Sequence, residues 1–60
     1  MIVLVQDIGA YREGDHGVGT EEFSGVEQAY ETKDDAVQMD FYDGRVRLEP
    51  EAAIIEVRAE

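Results

Sequence analysis

Sixty residues without a cysteine leave room for one domain spanning 1–60, held by packing alone or by a partner, with no disulfide, thiolate metal site or cysteine nucleophile. Fifteen aspartates and glutamates against four arginines and Lys33 give a net charge of -10, which disfavours non-specific nucleic-acid binding and favours basic partners. No apolar run approaches the ~20 residues of a membrane span, and the four apolar residues after Met1 lack the basic lead and cleavage site of a secretory signal, so a cytoplasmic protein without membrane contact is expected.

The chain opens with Ile2, Val3, Leu4 and Val5, a β-branched run too short for a helix before Gly9, which predicts a strand buried on both faces or lying centrally. Residues 7–18 hold Gly9, Gly14 and Gly17 among polar side chains and predict a loop, with the next strand beginning near Val18. Residues 21–35 are ambiguous. Phe23, Val26 and Tyr30 have helical spacing, whereas Ser24 and Gly25 oppose a stable helix. A strand over 25–30 followed by a turn at Lys33, Asp34 and Asp35 is the preferred reading.

Residues 37–48 carry the clearest pattern: two alternating runs flank Asp43 and Gly44, the mark of a β-hairpin. A two-residue loop would pair Tyr42 with Arg45, Phe41 with Val46, Asp40 with Arg47 and Met39 with Leu48. That register places Met39, Phe41, Val46 and Leu48 on one apolar face and the charged pair on the other. Residues 49–53, with Pro50 near their start, predict one tight helical turn, and Ile54, Ile55, Glu56, Val57 and Arg58 a closing strand.

This order of parts resembles an SH3-like small barrel, the broad kind that includes KOW modules and the small accessory subunit of photosystem I. The resemblance rests on the opening strand, the glycine loop with Gly14, Asp15, His16, Gly17 and Val18, the hairpin around Asp43 and Gly44, the turn at Pro50 and the closing strand. It implies an all-β fold: a small five-stranded, partly open barrel with one short helical turn before the last strand, whose loops contact a partner. KOW modules carry basic residues towards nucleic acid. Here Glu13, Asp15, Glu21 and Glu22 stand in the corresponding loop, which departs from an RNA-binding pattern.

Candidate chemistry is sparse. Gly14, Gly17 and Gly19 lack the lysine and hydroxyl ending of a phosphate loop and read as turn residues. His16 has no cysteine or second histidine with which to build a zinc site and reads as a loop histidine. Glu21 with Glu22, and Asp34 with Asp35, supply oxygen ligands but no EF-hand spacing, so neither a metal nor a cofactor is expected. Tyr11, Tyr30, Tyr42 and Phe23 fit half-buried barrel positions better than an aromatic groove for proline-rich peptides. So short a chain also has little volume for a catalytic cleft.

The expectation is a non-enzymatic, monomeric interaction or accessory module contacting a protein with a basic patch. Its candidate partner-binding residues are Tyr11, Glu13, Asp15, Glu21, Glu22, Tyr42, Arg45 and Arg47. Two alternatives stand beside it. One is a nucleic-acid mimic of the phage-inhibitor type, with carboxylates in place of phosphates. The other is a KOW-like module of the transcription or translation machinery, which needs Arg12, Arg45 and Arg47 to converge. A general halophilic surface adaptation explains the same acidity without any partner.

Overall fold

The opening run forms the central strand of a sheet, as its apolar composition predicts. In the computed structural model, which describes residues 1–15 and 17–60, β1 (Ile2–Asp7) lies between β2 (Thr20–Phe23) and β6 (Ala52–Arg58). A second sheet orders β3 (Val26–Glu31), β4 (Val37–Phe41) and β5 (Val46–Glu49), and every pairing in both sheets is antiparallel. The chain is therefore mostly β, with one short helix, α1 (Ile8–Glu13). Six strands are present among the described residues, where the barrel resemblance implied five. β2 and β3 part at Ser24 and Gly25, where Gly25 adopts φ +71° and the chain passes from one sheet to the other. Phe23 and Val26, on either side of this kink, are both buried, while Tyr30 is exposed.

The two inner faces share one core of Val3, Val5, Phe23, Val26, Val37, Met39, Phe41 and Ala52. Backbone and side-chain bonds join the sheets along one side. Met1 N donates to the Val26 carbonyl at 2.6 Å, and Val26 N returns a bond to Met1 at 3.1 Å. Ala52 N donates to the Asp35 carbonyl at 2.9 Å and Ile54 N to a Glu31 carboxylate oxygen at 3.0 Å. On the opposite side β2 and β5 are not hydrogen-bonded to each other.

The loop predicted over 7–18 contains the helix. Asp7 caps its start, accepting the Ala10 N–H at 3.1 Å, and Gly14 ends it at φ +79°. Gly9 and a length of six residues hide this element from periodicity, since burial of Ala10 and the two caps outweigh its poor intrinsic propensity. The following strand begins at Thr20, not Val18. The reading of His16 as a loop histidine falls outside the described residues. Conversely, the helical turn expected over 49–53 is a two-residue turn at Pro50 and Glu51, with Glu51 at φ +53°. Ala52 and Ala53, buried against the core, already belong to β6. The turn at 33–35 stands as predicted, with Asp34 N and Ala36 N both donating to Thr32 Oγ1 at 3.3 Å.

The hairpin forms, but one residue out of the expected register. Its loop has three residues, Tyr42, Asp43 and Gly44, because Phe41 N bonds the Arg45 carbonyl at 2.8 Å and Gly44 N bonds the Phe41 carbonyl at 3.0 Å. Gly44 sits at φ +92°, the left-handed position of a tight turn followed by a bulge. Asp40 then faces Val46, Met39 faces Arg47, Gln38 faces Leu48 and Val37 faces Glu49. A one-residue shift flips a whole strand. Val46 and Leu48 therefore lie outside, 65% and 58% exposed, and Arg45 and Arg47 take the side of the sheet that carries Met39 and Phe41. Among the described residues no helix is long and apolar enough to cross a membrane.

Candidate functional site

The shifted register creates the most distinctive chemistry of the molecule. Where β2 and β5 fail to meet, a cavity of about 340 Å³ is lined by Glu22, Phe23 and Ser24 from one side and Phe41, Arg45, Val46 and Arg47 from the other. The Arg45 guanidinium lies 4.7 Å from the centre of the Phe41 ring and that of Arg47 lies 5.0 Å from the Phe23 ring. Each stack contributes roughly 0.5–1 kcal/mol at an exposed site. The phenyl rings are thus floor and platform: buried on the core side, and covered by cations on the cavity side.

Carboxylates fix the two guanidinium groups. Arg47 Nε is 2.6 Å from Glu49 and its Nη2 3.9 Å from Glu21, while Arg45 Nε is 2.7 Å from Asp43. Glu22 pairs with Arg58, which also holds Glu56 at 2.7 Å. These are solvent-exposed pairs, worth ~0–1 kcal/mol apiece, so they orient side chains more than they stabilise the fold. The backbone N–H of Arg45, with the help of its guanidinium, holds the Asp43 carboxyl below the ordinary aspartate range.

A second, smaller cavity of about 160 Å³ lies at the other end of β5, edged by Asp7, Glu21, Glu49 and Glu51. Among the described residues no group of three or more potential ligands is arranged to hold a metal ion. The cavity is an anionic recess between β1, β2 and the Pro50 turn.

The eight residues singled out in the sequence divide into two groups. Glu21, Glu22, Arg45 and Arg47 come together around the opening between β2 and β5. Tyr11 and Glu13 are exposed on α1 and Asp15 just beyond it, and none of the three lines either cavity. Tyr42 is exposed in the hairpin loop, its N–H donating to the Gly25 carbonyl at 3.0 Å, and it does not pair with Arg45 as the two-residue loop required. Arg12 binds Asp35 at 2.9 Å beside the β3–β4 turn and lines neither cavity, so it shares no site with Arg45 and Arg47.

Sequence reasoning missed Phe23 and Phe41 as stacking platforms and Asp7, Glu49 and Glu51 as the rim of the anionic recess. Alternation of Arg45, Val46, Arg47 and Leu48 carried the signal for the first pair, but only with the three-residue loop. Comparison with protein-family models, curated proteins and solved structures returns no match for this chain.

Proposed function

We propose that this chain is a non-enzymatic interaction or accessory module that presents an acidic surface to a protein partner with a basic patch. One observation carries the reading. All four arginines are committed to ion pairs with carboxylates of the same chain. Among the described residues, Glu13, Asp15, Glu27, Asp34 and Glu51 have no cationic partner. With the arginines so engaged, Lys33 alone stands against these carboxylates, and the excess negative charge faces outward, where it raises encounter rates with cationic surfaces.

The architecture we assign to this module is an SH3-like, partly open barrel. Supporting it are the order of elements, the kink at Gly25 between β2 and β3 that takes the chain from one sheet to the other, the β4–β5 hairpin and the short turn before β6. Fold alone names no partner, so the charge distribution decides the class.

Binding of an eight-residue lysine peptide, compared with an eight-residue glutamate peptide by calorimetry, tests the reading. The lysine peptide is expected to bind, with affinity falling as salt rises from roughly 0.05 to 0.5 M and the screening length shrinks below ~10 Å. Equal behaviour of the two peptides would refute an electrostatic interface.

A further inference from the structure

Sheet edges expose rows of unpaired N–H and C=O groups, which isolated domains blunt with charges, cover or irregularity. Four strands here are edges: β2, β6, β3 and β5. β6 is covered where Asp35 and Glu31 accept its Ala52 and Ile54 N–H groups, and β3 where Val26 exchanges bonds with Met1. β2 carries two consecutive carboxylates, Glu21 and Glu22.

β5 is different. Antiparallel pairs alternate between bonded and non-bonded. The bond from Phe41 N to the Arg45 carbonyl marks that pair as bonded, so Met39–Arg47 and Val37–Glu49 are bonded as well. Val46 and Leu48, opposite Asp40 and Gln38, therefore turn their N–H and C=O groups away from β4. Their side chains are apolar and exposed, and Leu48 continues across Gln38 to the exposed Tyr30. In a chain one-third charged, the only charge on this stretch of outer face is Asp40.

The sequence of β5 is complementary to itself when a second copy runs antiparallel to it. Three two-fold arrangements bring the outward groups of the two edges together, centred on Val46, Arg47 or Leu48. Centring on Val46 sets Arg45 against Arg47 twice, and centring on Arg47 sets Arg47 against its own copy. Centring on Leu48 sets Arg47 against Glu49 of the second copy twice, brings Leu48 against Leu48 on the outer face and opposes no like charges. Opposite charges across a strand pair stabilise it and like charges destabilise it. Glu49 already lies 2.6 Å from Arg47 of its own chain, so the two arginines and two glutamates alternate in one set of four. Pro50, without an N–H, ends the new ladder opposite Val46.

We infer that two copies of this chain pair through the free edges of β5, antiparallel about a two-fold axis at Leu48, which joins their β3–β4–β5 sheets into one. The inference does not rest on the acidic-module reading above. It is opposed by the charge of -10 on each copy, whose mutual repulsion involves far more charge than the local ion pairs and so governs the salt dependence. Low salt leaves the chain monomeric, as its composition predicts, and added salt permits pairing.

Sedimentation equilibrium at ~0.1 and ~1 M potassium chloride, between which the screening length falls from ~10 to ~3 Å, is expected to show a dimer that tightens about tenfold or more. Amide exchange at Leu48 is expected to slow as the dimer forms. In a mixture of labelled and unlabelled chains, an isotope-filtered Overhauser spectrum is expected to join the α-protons of Arg47 and of Glu49 in the second copy, a non-bonded pair. A chain that stays monomeric at high salt and roughly millimolar concentration overturns the inference. So does a dimer whose Leu48 exchange is unchanged, since its contact lies elsewhere.

Charge exchange tests the register. Arg47→Glu and Glu49→Arg each set like charges across the axis, and each alone is expected to weaken the dimer about tenfold. Mixed in equal amounts, the two variants restore opposite pairs and are expected to associate with each other. The chain carrying both substitutions keeps the parent's net charge and is expected to dimerise as the parent does. Loss of pairing in that chain, with its circular dichroism unchanged, would contradict the axis at Leu48. Should a variant fail to fold, the Overhauser contact between parent chains still decides.

Discussion

Met39→Ala is expected to remove about half of the domain's stability at 25 °C, ~2–5 kcal/mol. Met39 is fully buried, lies centrally in β4 and belongs to the core shared by both sheets. Truncating a buried methionine costs ~2–5 kcal/mol through lost transfer energy and the cavity left behind. A domain of this length has only ~3–9 kcal/mol to lose, at ~0.05–0.15 kcal/mol per residue. Met39→Leu keeps the volume and is expected to cost less than ~1.5 kcal/mol. Urea titration followed by circular dichroism measures both. A loss below ~1 kcal/mol for the alanine variant would mean that the two sheets do not depend on a common core at this position.

Gln6→Glu is expected to be comparably damaging at neutral pH and tolerated in acid. Gln6 is 1% exposed on β1, and its Nε2 donates to the carbonyls of Asp15 and Val18, the latter at 3.0 Å, pinning the connection between α1 and β2. Two carbonyl acceptors fix which end of the amide faces them, because only the NH₂ group can donate to both. The remaining oxygen is buried and makes no hydrogen bond. A glutamate there would place a carboxylate against two carbonyl oxygens without a cation. Such a buried, uncompensated charge costs ~3–5 kcal/mol.

The cost carries a definite pH sign. Burial raises the folded-state pKa of the introduced glutamate above its unfolded value of ~4.3. Below that value both states hold the proton and the carboxyl can donate to one carbonyl. As pH rises, the unfolded state releases its proton first, so stability falls until the folded-state pKa is reached. Thermal melts of the variant at pH 4 and pH 7, each compared with the parent, check this. An equal loss at both would show that charge is not the cause.

Much of the fold was legible where local pattern and burial coincide. Val37, Met39 and Phe41 alternate in sequence and all three are buried, and Ile2 to Val5, a β-branched apolar run, form part of a central strand. The phase of β5 was not legible. Arg45, Val46, Arg47 and Leu48 alternate equally well in either register, and Asp43 with Gly44 suits a two-residue or a three-residue loop. Contacts distant in sequence or outside the strand pattern accompany the choice: Arg47 over Phe23, Arg45 over Phe41, and Tyr42 N–H on Gly25. The two-residue register looked better because it put all four apolar residues on one face. The folded chain instead leaves Val46 and Leu48 outside and covers the phenyl rings with guanidinium groups.

The candidate site follows the same division. Glu21, Glu22, Arg45 and Arg47 were chosen for charge and exposure, and their meeting is a consequence of two sheets that leave one side unpaired. Tyr11, Glu13 and Asp15 were grouped with them because a single loop was expected, and a capped helix took its place.

The lining of the opening between β2 and β5 depends on the register of the β4–β5 hairpin. Contacts between α-protons across an antiparallel pair are strongest at non-hydrogen-bonded positions, where the Cα atoms approach to ~4.5 Å. A nuclear Overhauser spectrum is therefore expected to join the α-protons of Asp40 and Val46, and of Gln38 and Leu48. Cross-peaks joining Phe41 to Val46 and Met39 to Leu48 in their place would return Val46 and Leu48 to the core side and take Arg45 and Arg47 off the phenyl rings, contradicting the opening described between β2 and β5.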